Sequence, residues 1–298
     1  MRVLFVGGSG FIGSHLVNAL LNEGYTVKIA DVKKPFIPQH EKLWSYLDIR
    51  ESNFNIRKYD VIYHLAHFRF GNKYYYDNLV SSKPFYEINV YGTYNLLRSM
   101  NPYALLIYTS SAGVYGNVEN IFDPATEDSP LKACNPYAYS KIIGETLIKY
   151  SNRHYLIYRL STIMGEYGYT FPNNLVYSAI HNQPIEVYNN GLATRNYLDI
   201  KDLIPALLTF REIPINQTYN VGSNKPIYNI HLVTLIEEIA KQYGYTLNYK
   251  CIKSTPPNYI LYSSINNTKL KQHGWKPKTP LKQTINRLFQ HYTKPRKP

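Results

Sequence analysis

The sequence predicts an α/β fold: a doubly wound parallel sheet, with a smaller and looser α/β domain after it. Three observations carry this. Short apolar runs alternate with helical patterns through the first half of the chain. A glycine-rich turn follows the first apolar run at once. After about Gly165 the alternation breaks up, and Pro, Asn, Gly and Tyr become frequent. Strand and helix in alternation mean βαβ units, a parallel sheet and right-handed crossovers. The boundaries expected are 1–165 for the first domain, with a return near 196–222, and 166–298 for the second.

The elements follow in order. "RVLFV" reads as a buried strand, and a helix runs from about Phe11 to Asn22. "TVKIA" and "DVIYHLA" are further strands. "PFYEINVYGTYNLLRSM" has helical periodicity, and "ALLIYTS" is again a strand. In "NPYAYSKIIGETLIKY" Asn135 suits the N-cap and Pro136 the first helical position. "HYLIYRLS" closes the series. Later come "TYNVG" as a strand, "IHLVTLIEEIAKQYG" as an amphipathic helix and "TPLKQTINRLFQHY" as a closing helix.

The first turn, within "VLFVGGSGFIGSHL", places Gly7, Gly10 and Gly13 at three-residue intervals. Between a strand and a helix, such a turn lets the backbone approach a pyrophosphate. The N–H groups at the helix start, near Phe11 and Ile12, then point at the anion. The sheet is therefore expected to be of the Rossmann type. Asp31 ends the second strand, 24 residues after Gly7. A carboxylate there accepts the ribose hydroxyls of an adenosine and repels a 2′-phosphate, which favours NAD over NADP. Lys33 and Lys34 follow it, and basic neighbours suit a 2′-phosphate, so NADP stays open here. Asp48, in "YLDIR", is expected near the adenine.

Bulk properties narrow the function. Hydrophobic residues make up 44% of the chain, and no apolar run reaches membrane-spanning length. The apolar start is too short for a signal-peptide core. Cys134 and Cys251 form no metal or disulfide pattern, which fits a reducing cytoplasm. The net charge of +13 is spread over the chain and dense only in "TKPRKP". Neither nucleic acid nor membrane is expected as a partner. Phosphorylated small molecules are compatible with the charge.

Tyr137 and Lys141 form Y-x-x-x-K, one helical turn apart and on one face. A phenol is a poor base at neutral pH, but a nearby ammonium favours its phenolate. Such a tyrosine can take the proton of a sugar hydroxyl as hydride leaves the same carbon, with a serine hydroxyl bonding the reacting oxygen. Spacing alone decides nothing among 31 tyrosines. Three matches occur (Tyr197/Lys201 and Tyr249/Lys253 are the others), against roughly two expected by chance. Only the first lies on a capped helix after a strand that ends in a serine pair.

Together the glycine turn, Asp31, "DI" at Asp48–Ile49, "HLA" at His64–Ala66, "NVYGTYNLL" from Asn89, "SSAGVYG", "NPYAYSK", "NVGS" from Asn220 and "GWKPKTPL" from Gly274 resemble the extended short-chain dehydrogenases/reductases. More narrowly they resemble its nucleotide-sugar epimerase and dehydratase family, nearly end to end. The resemblance implies that Ser111, Tyr137 and Lys141 are the catalytic trio, with Lys141 also on the nicotinamide ribose. Ile49, Leu65 and Ala66 would line the NAD. "FPNNLV" implies Asn174 and Leu175 at the diphosphate, and "LATRNYLDIKDL" implies Arg195 on the diphosphate and Tyr197 near the substrate. A homodimer joined through helices near Asn89 and Tyr137 is implied too.

The dehydratases of that family carry an Asp-Glu pair after the catalytic Ser/Thr, and the decarboxylases keep an acid there. Here the positions are Ala112 and Gly113, which transfer no protons. The reading is thus a nucleotide-sugar epimerase acting at C4. The alternative is a 4-keto-sugar reductase, and behind it stand a 4,6-dehydratase or a non-catalytic NAD-binding regulator. Two departures concern the substrate end: Leu160, Ser161 and Thr162 follow Arg159 without the family's Asn, and "STPPNYILYSS" lacks its nucleotide-gripping Arg and Asp. His67 and Arg69 could face the sugar, although such loop residues are more often solvated. His64 and His67 suggest no third ligand, so no metal is expected.

Overall fold

The apolar runs of the first half become strands of one sheet covered on both faces, which is why they read as continuous apolar stretches. The computed structural model describes residues 1–68 and 79–294, with only the backbone of 79–81; Arg69 and the end of the basic tail lie outside them. The chain runs through β1 (Arg2–Val6), α1 (Phe11–Asn22), β2 (Thr26–Asp31), β3 (Trp44–Tyr46) and β4 (Val61–His64). A helix starts as α2 (Leu79–Pro84), passes through a π-helical stretch at Phe85–Tyr91 and ends as α3 (Gly92–Ser99). The sequence predicts one regular helix from Pro84. In fact Pro84 lies inside it, and the winding changes just after this residue, which has no N–H to give. β5 (Leu105–Ser111), α4 (Pro136–Lys149) and β6 (His154–Leu160) complete the series.

With a late strand, β10 (Gln217–Val221), at one edge, the strand order is β10-β6-β5-β4-β1-β2-β3, with every pair parallel. That outer strand sets Asn220 opposite Arg159. On one face α1 and α6 (Ile200–Leu208) bury Leu16, Leu20, Leu203 and Leu207 against Val3 and Phe5. On the other, α3 and α4 bury Leu96, Leu97 and Ile148 against Leu4 and Val6. The order reverses between β1 and β4. That is where an open α/β sheet forms a crevice at the carboxyl ends of its strands.

The rest of the chain builds β7 (Thr162–Met164), β9 (Thr194–Asp199) and β11 (Pro226–Tyr228) into a three-stranded sheet. β8 (Ile185–Tyr188) pairs with β12 (Tyr249–Ile252). Around them α5 (Phe171–Ile180), α7 (Asn229–Gln242) and α8 (Leu281–Thr293) enclose a third core containing Leu175, Val233, Ile236 and Leu288. Among the described residues no helix is long and apolar enough to cross a membrane.

Candidate active site

The glycine turn takes its shape from contacts that no side chain would permit. Gly7 has φ +81°, and a Cβ there would collide with the backbone of Ala66; one on Gly13 would strike the backbone of Gly8. Gly10 caps α1 without a side-chain bond, and its Cβ position is open, the nearest atom being the Gly7 carbonyl oxygen at 3.9 Å. The first-turn N–H groups of Phe11 and Ile12 have no acceptor within the helix. Leu65 and Ala66 are tied to the same place, both donating N–H to the Val6 carbonyl at 2.8 Å. This open, donor-lined space fits a dinucleotide pyrophosphate.

Asp31 faces the turn: its Oδ2 accepts Ser9 N–H at 3.0 Å and its Oδ1 accepts Lys33 N–H at 2.9 Å. Lys34 is drawn off to Glu41, 3.6 Å away. Asp48 is held differently. Arg50 gives it Nε at 3.0 Å and Nη2 at 2.5 Å, and that bond holds its carboxyl below the usual carboxylate range despite burial. Ile49 is buried against Gly92 of α3.

The three reacting-end residues come together at the carboxyl end of β5. Asn135 Oδ1 accepts Ala138 N–H at 2.9 Å and starts α4, which puts Tyr137 in its first turn. Lys141 lies one turn on, buried, with Nζ 5.8 Å from the Tyr137 ring centre and donating to the Thr109 carbonyl at 2.8 Å. Burial drives its pKa down to about 7, while Glu145 works the other way. Ser111 Oγ accepts Gly113 N–H at 3.1 Å, an arrangement that leaves its hydrogen to be donated. The other two Y-x-x-x-K pairs are not on single helices: Tyr197 is in β9 with Lys201 in α6, and Tyr249 is in β12.

Neighbours complete the pocket. His64 is buried, donates to Thr93 Oγ1 at 2.8 Å and is kept neutral by burial, its pKa pushed down to about 3. His67 is exposed, with its ring 6.1 Å from that of Tyr137 and Nδ1 2.8 Å from the Leu65 carbonyl oxygen. Asn89 Nδ2 donates to Ser140 Oγ at 2.8 Å and ties the π-helical stretch to α4. Sequence reasoning quoted Asn89 without a role, and it missed the Glu145–Arg159 pair beneath the site. The available signal was a charged residue inside the buried run "LIYRL".

The substrate-end residues are spread more widely. Arg195 donates Nη2 to the Ile260 carbonyl at 2.5 Å and Nη1 to the Thr194 carbonyl at 2.7 Å, and it lies 5.4 Å from the Tyr259 ring centre. Ile260 reaches the turn after Ser111, since a Cβ on Gly113 would lie 3.7 Å from its Cδ1. Asn174 is half-buried in α5. Leu175 and Tyr197 are packed in the third core, where the Tyr197 hydroxyl donates to Asn229 Oδ1 at 2.7 Å. The structure thus joins Arg195 to the turn after Ser111 through Ile260, and leaves Leu175 and Tyr197 inside the core.

Comparison with known proteins agrees with this fold. The profile of the NAD dependent epimerase/dehydratase family matches residues 3–222. The human dTDP-D-glucose 4,6-dehydratase is 28% identical over 98% of this chain and 89% of its own length. The UDP-glucose 4-epimerase 4 of Oryza sativa subsp. japonica is 30% identical over 80% of this chain and 76% of its own. The solved structure of the Thermus thermophilus UDP-glucose 4-epimerase in complex with NAD superposes with a TM-score of 0.82 at 23% identity, over 99% of both chains. On the family profile and on the Oryza sativa relative together, the chain belongs to the NAD-dependent epimerase/dehydratase family.

Proposed function

We propose that this protein is a nucleotide-sugar epimerase that uses NAD to invert a sugar carbon, at C4, of a nucleoside-diphosphate sugar. The observation that carries it is the pair Ala112 and Gly113 beside Ser111. Ala112 is buried and Gly113 is closed in by Ser111, Ala138 and Ile260, so neither place offers a group to protonate a leaving hydroxyl. Relatives of this chain include dehydratases as well as epimerases, and elimination is the chemistry that needs such a group.

Bound NAD supplies one thing, a place for the hydride to go and return from. The protein does the rest. Lys141 sits beside Tyr137 and favours its phenolate, which takes the proton of the sugar hydroxyl. Ser111 donates to the same oxygen as it becomes a carbonyl. The proton returns from Tyr137 when the other face is reduced. Gly7, Gly10, Phe11, Ile12, Gly13, Asp31, Leu65 and Ala66 are the cofactor residues in this reading, with Asp48 and Ile49 toward the adenine. Arg195 and Asn174 serve the diphosphate, Arg195 because its fork has donors to share between phosphate and the Ile260 carbonyl. Its place of action is the cytoplasm, consistent with two free cysteines.

The proposed assembly is a homodimer through α3 and α4. Tyr139 and Ile143 on α4, with Tyr150 just past its end, form an exposed stripe beside exposed Tyr91 and Tyr94. The activity is tested with UDP-, dTDP-, GDP- and CDP-sugars and no added nicotinamide cofactor. Conversion of a hexose to its C4 epimer, lost about 10²–10⁴-fold in Tyr137→Phe, is the expected result. Turnover that consumes NAD(P)H and only with a 4-keto sugar would replace the epimerase by a reductase.

A further inference from the structure

Beneath the trio lies a buried ion pair that the hydride chemistry does not consume. Glu145 and Arg159 are 1% and 2% exposed, and the carboxylate receives Arg159 Nε at 3.0 Å and Nη2 at 2.7 Å. Its Oε1 also accepts the Ser110 hydroxyl at 2.6 Å. Arg159 Nη1 donates onward to the Tyr115 hydroxyl at 2.8 Å, and Tyr115 donates to Asn220 Oδ1 at 2.7 Å. The network therefore joins β5, α4, β6, β10 and the turn that follows Ser111.

A buried pair is seldom a net source of stability, because taking two charges out of water offsets their attraction; its better-attested use is register. The register here has two points. Thr109, Ser110 and Ser111 are consecutive on β5. The Thr109 carbonyl takes Lys141 Nζ, and the Ser110 hydroxyl goes to Glu145. On α4 those two partners are one turn apart. Any slide or roll of α4 along β5 would break both bonds and carry Tyr137 away from Ser111.

Charge gives the pair a second handle. Around Lys141 stand Tyr137 and Glu145 from its own helix, Tyr108 from β5 and His64 from β4, with His67 beside Tyr137. Among these, Glu145 is the one carboxylate. Around Glu145 stand Arg159 from β6, Ser110 and Tyr108 from β5, Tyr155 from β6, and Lys149 at 3.7 Å on its own helix.

We propose that Glu145, held by Arg159, is a positioning residue for the reaction: it fixes α4 on β5 so that Tyr137 and Ser111 meet on one substrate oxygen, and its charge supports the Lys141 ammonium. Only the kinetic part of its test rests on the hydride-transfer reading above.

Two variants test it, Glu145→Gln and the double variant Glu145→Met with Arg159→Met, which removes both charges of the pair together and is expected to fold. Proton release from Lys141 is followed by NMR on lysine labelled with ¹³C at Cε, the signal being assigned by its loss in Lys141→Met. The expected result is a midpoint lower by about one pH unit or more in both variants. With a sugar that the wild type converts, kcat should fall about tenfold or more, at unchanged KM and bound NAD, and its alkaline limb should move to lower pH. An unmoved Lys141 midpoint and wild-type kcat in the double variant would overturn the proposal. So would a loss of kcat that merely follows lost fold or lost NAD. If the wild type converts no sugar, the activity reading fails, and the NMR midpoint still decides the role of Glu145.

Discussion

Lys141 has to be both buried and charged to help Tyr137, and the cost of that is visible in its proton affinity. Its pKa in the folded chain, about 7, lies below the ordinary value of 10.5. Between these two values the unfolded chain holds a proton that the folded chain lacks, so stability rises with pH across that window. Below about pH 7 both states are protonated and the burial penalty is borne in full. Lys141→Met is therefore expected to stabilise the cofactor-free protein by a few kcal/mol at pH 6, and by progressively less as the pH rises toward 10; equal shifts in denaturant midpoint at pH 6 and pH 9 would contradict this. At this scale the sequence was informative wherever chemistry fixes residue type and spacing together, as for Tyr137, Lys141, Ser111 and Asp31. It was silent where a role depends on a distant partner. Nothing near Arg195 announces the carbonyls of residues 260 and 261, and nothing near Arg159 announces Glu145 on another element.

Among elements, the ones with a long period were legible and the short ones were not. α4 carries an N-cap, a proline at its first position and a repeating apolar face, and it forms over Pro136–Lys149. β7 and β11 have three residues each, too few for a pattern to emerge from the Tyr- and Asn-rich sequence around them. The β1–α1 turn makes a sharper prediction. Gly7→Ala imposes both a strained positive φ and a collision with the Ala66 backbone. It should cost more than about 1 kcal/mol and also remove bound NAD, because the same displacement moves Gly10 and the N–H groups of Phe11 and Ile12. Isothermal titration with NAD checks the second half; an unchanged affinity would mean that the turn does not hold the pyrophosphate.

At the scale of the whole molecule, α4 carries Tyr137 and Lys141 on one side and exposed Tyr139 and Ile143 on the other. Tyr139 and Ile143 bracket Lys141 in sequence and point away from it. Wild-type protein is expected to show twice the chain mass in light scattering. Tyr94→Asp with Tyr139→Asp should give single chains. A single-chain mass for the wild type would remove the dimer proposal.

β10 has a consequence for how the protein is made. The edge of β6 is closed by a strand that ends at Val221, and the α1 face of the sheet is covered by α6, which ends at Leu208. A nascent chain that has emerged only as far as Gly165 already has β1 to β6, yet β6 still presents an unpaired edge and Phe5, Leu16 and Tyr63 still lack their cover. Ribosomal synthesis must supply the 56 residues from 166 to 221, at about 5–20 per second, before that surface is shielded. For those seconds the half-built sheet is open to pairing with another chain, and a chaperone has its natural substrate there.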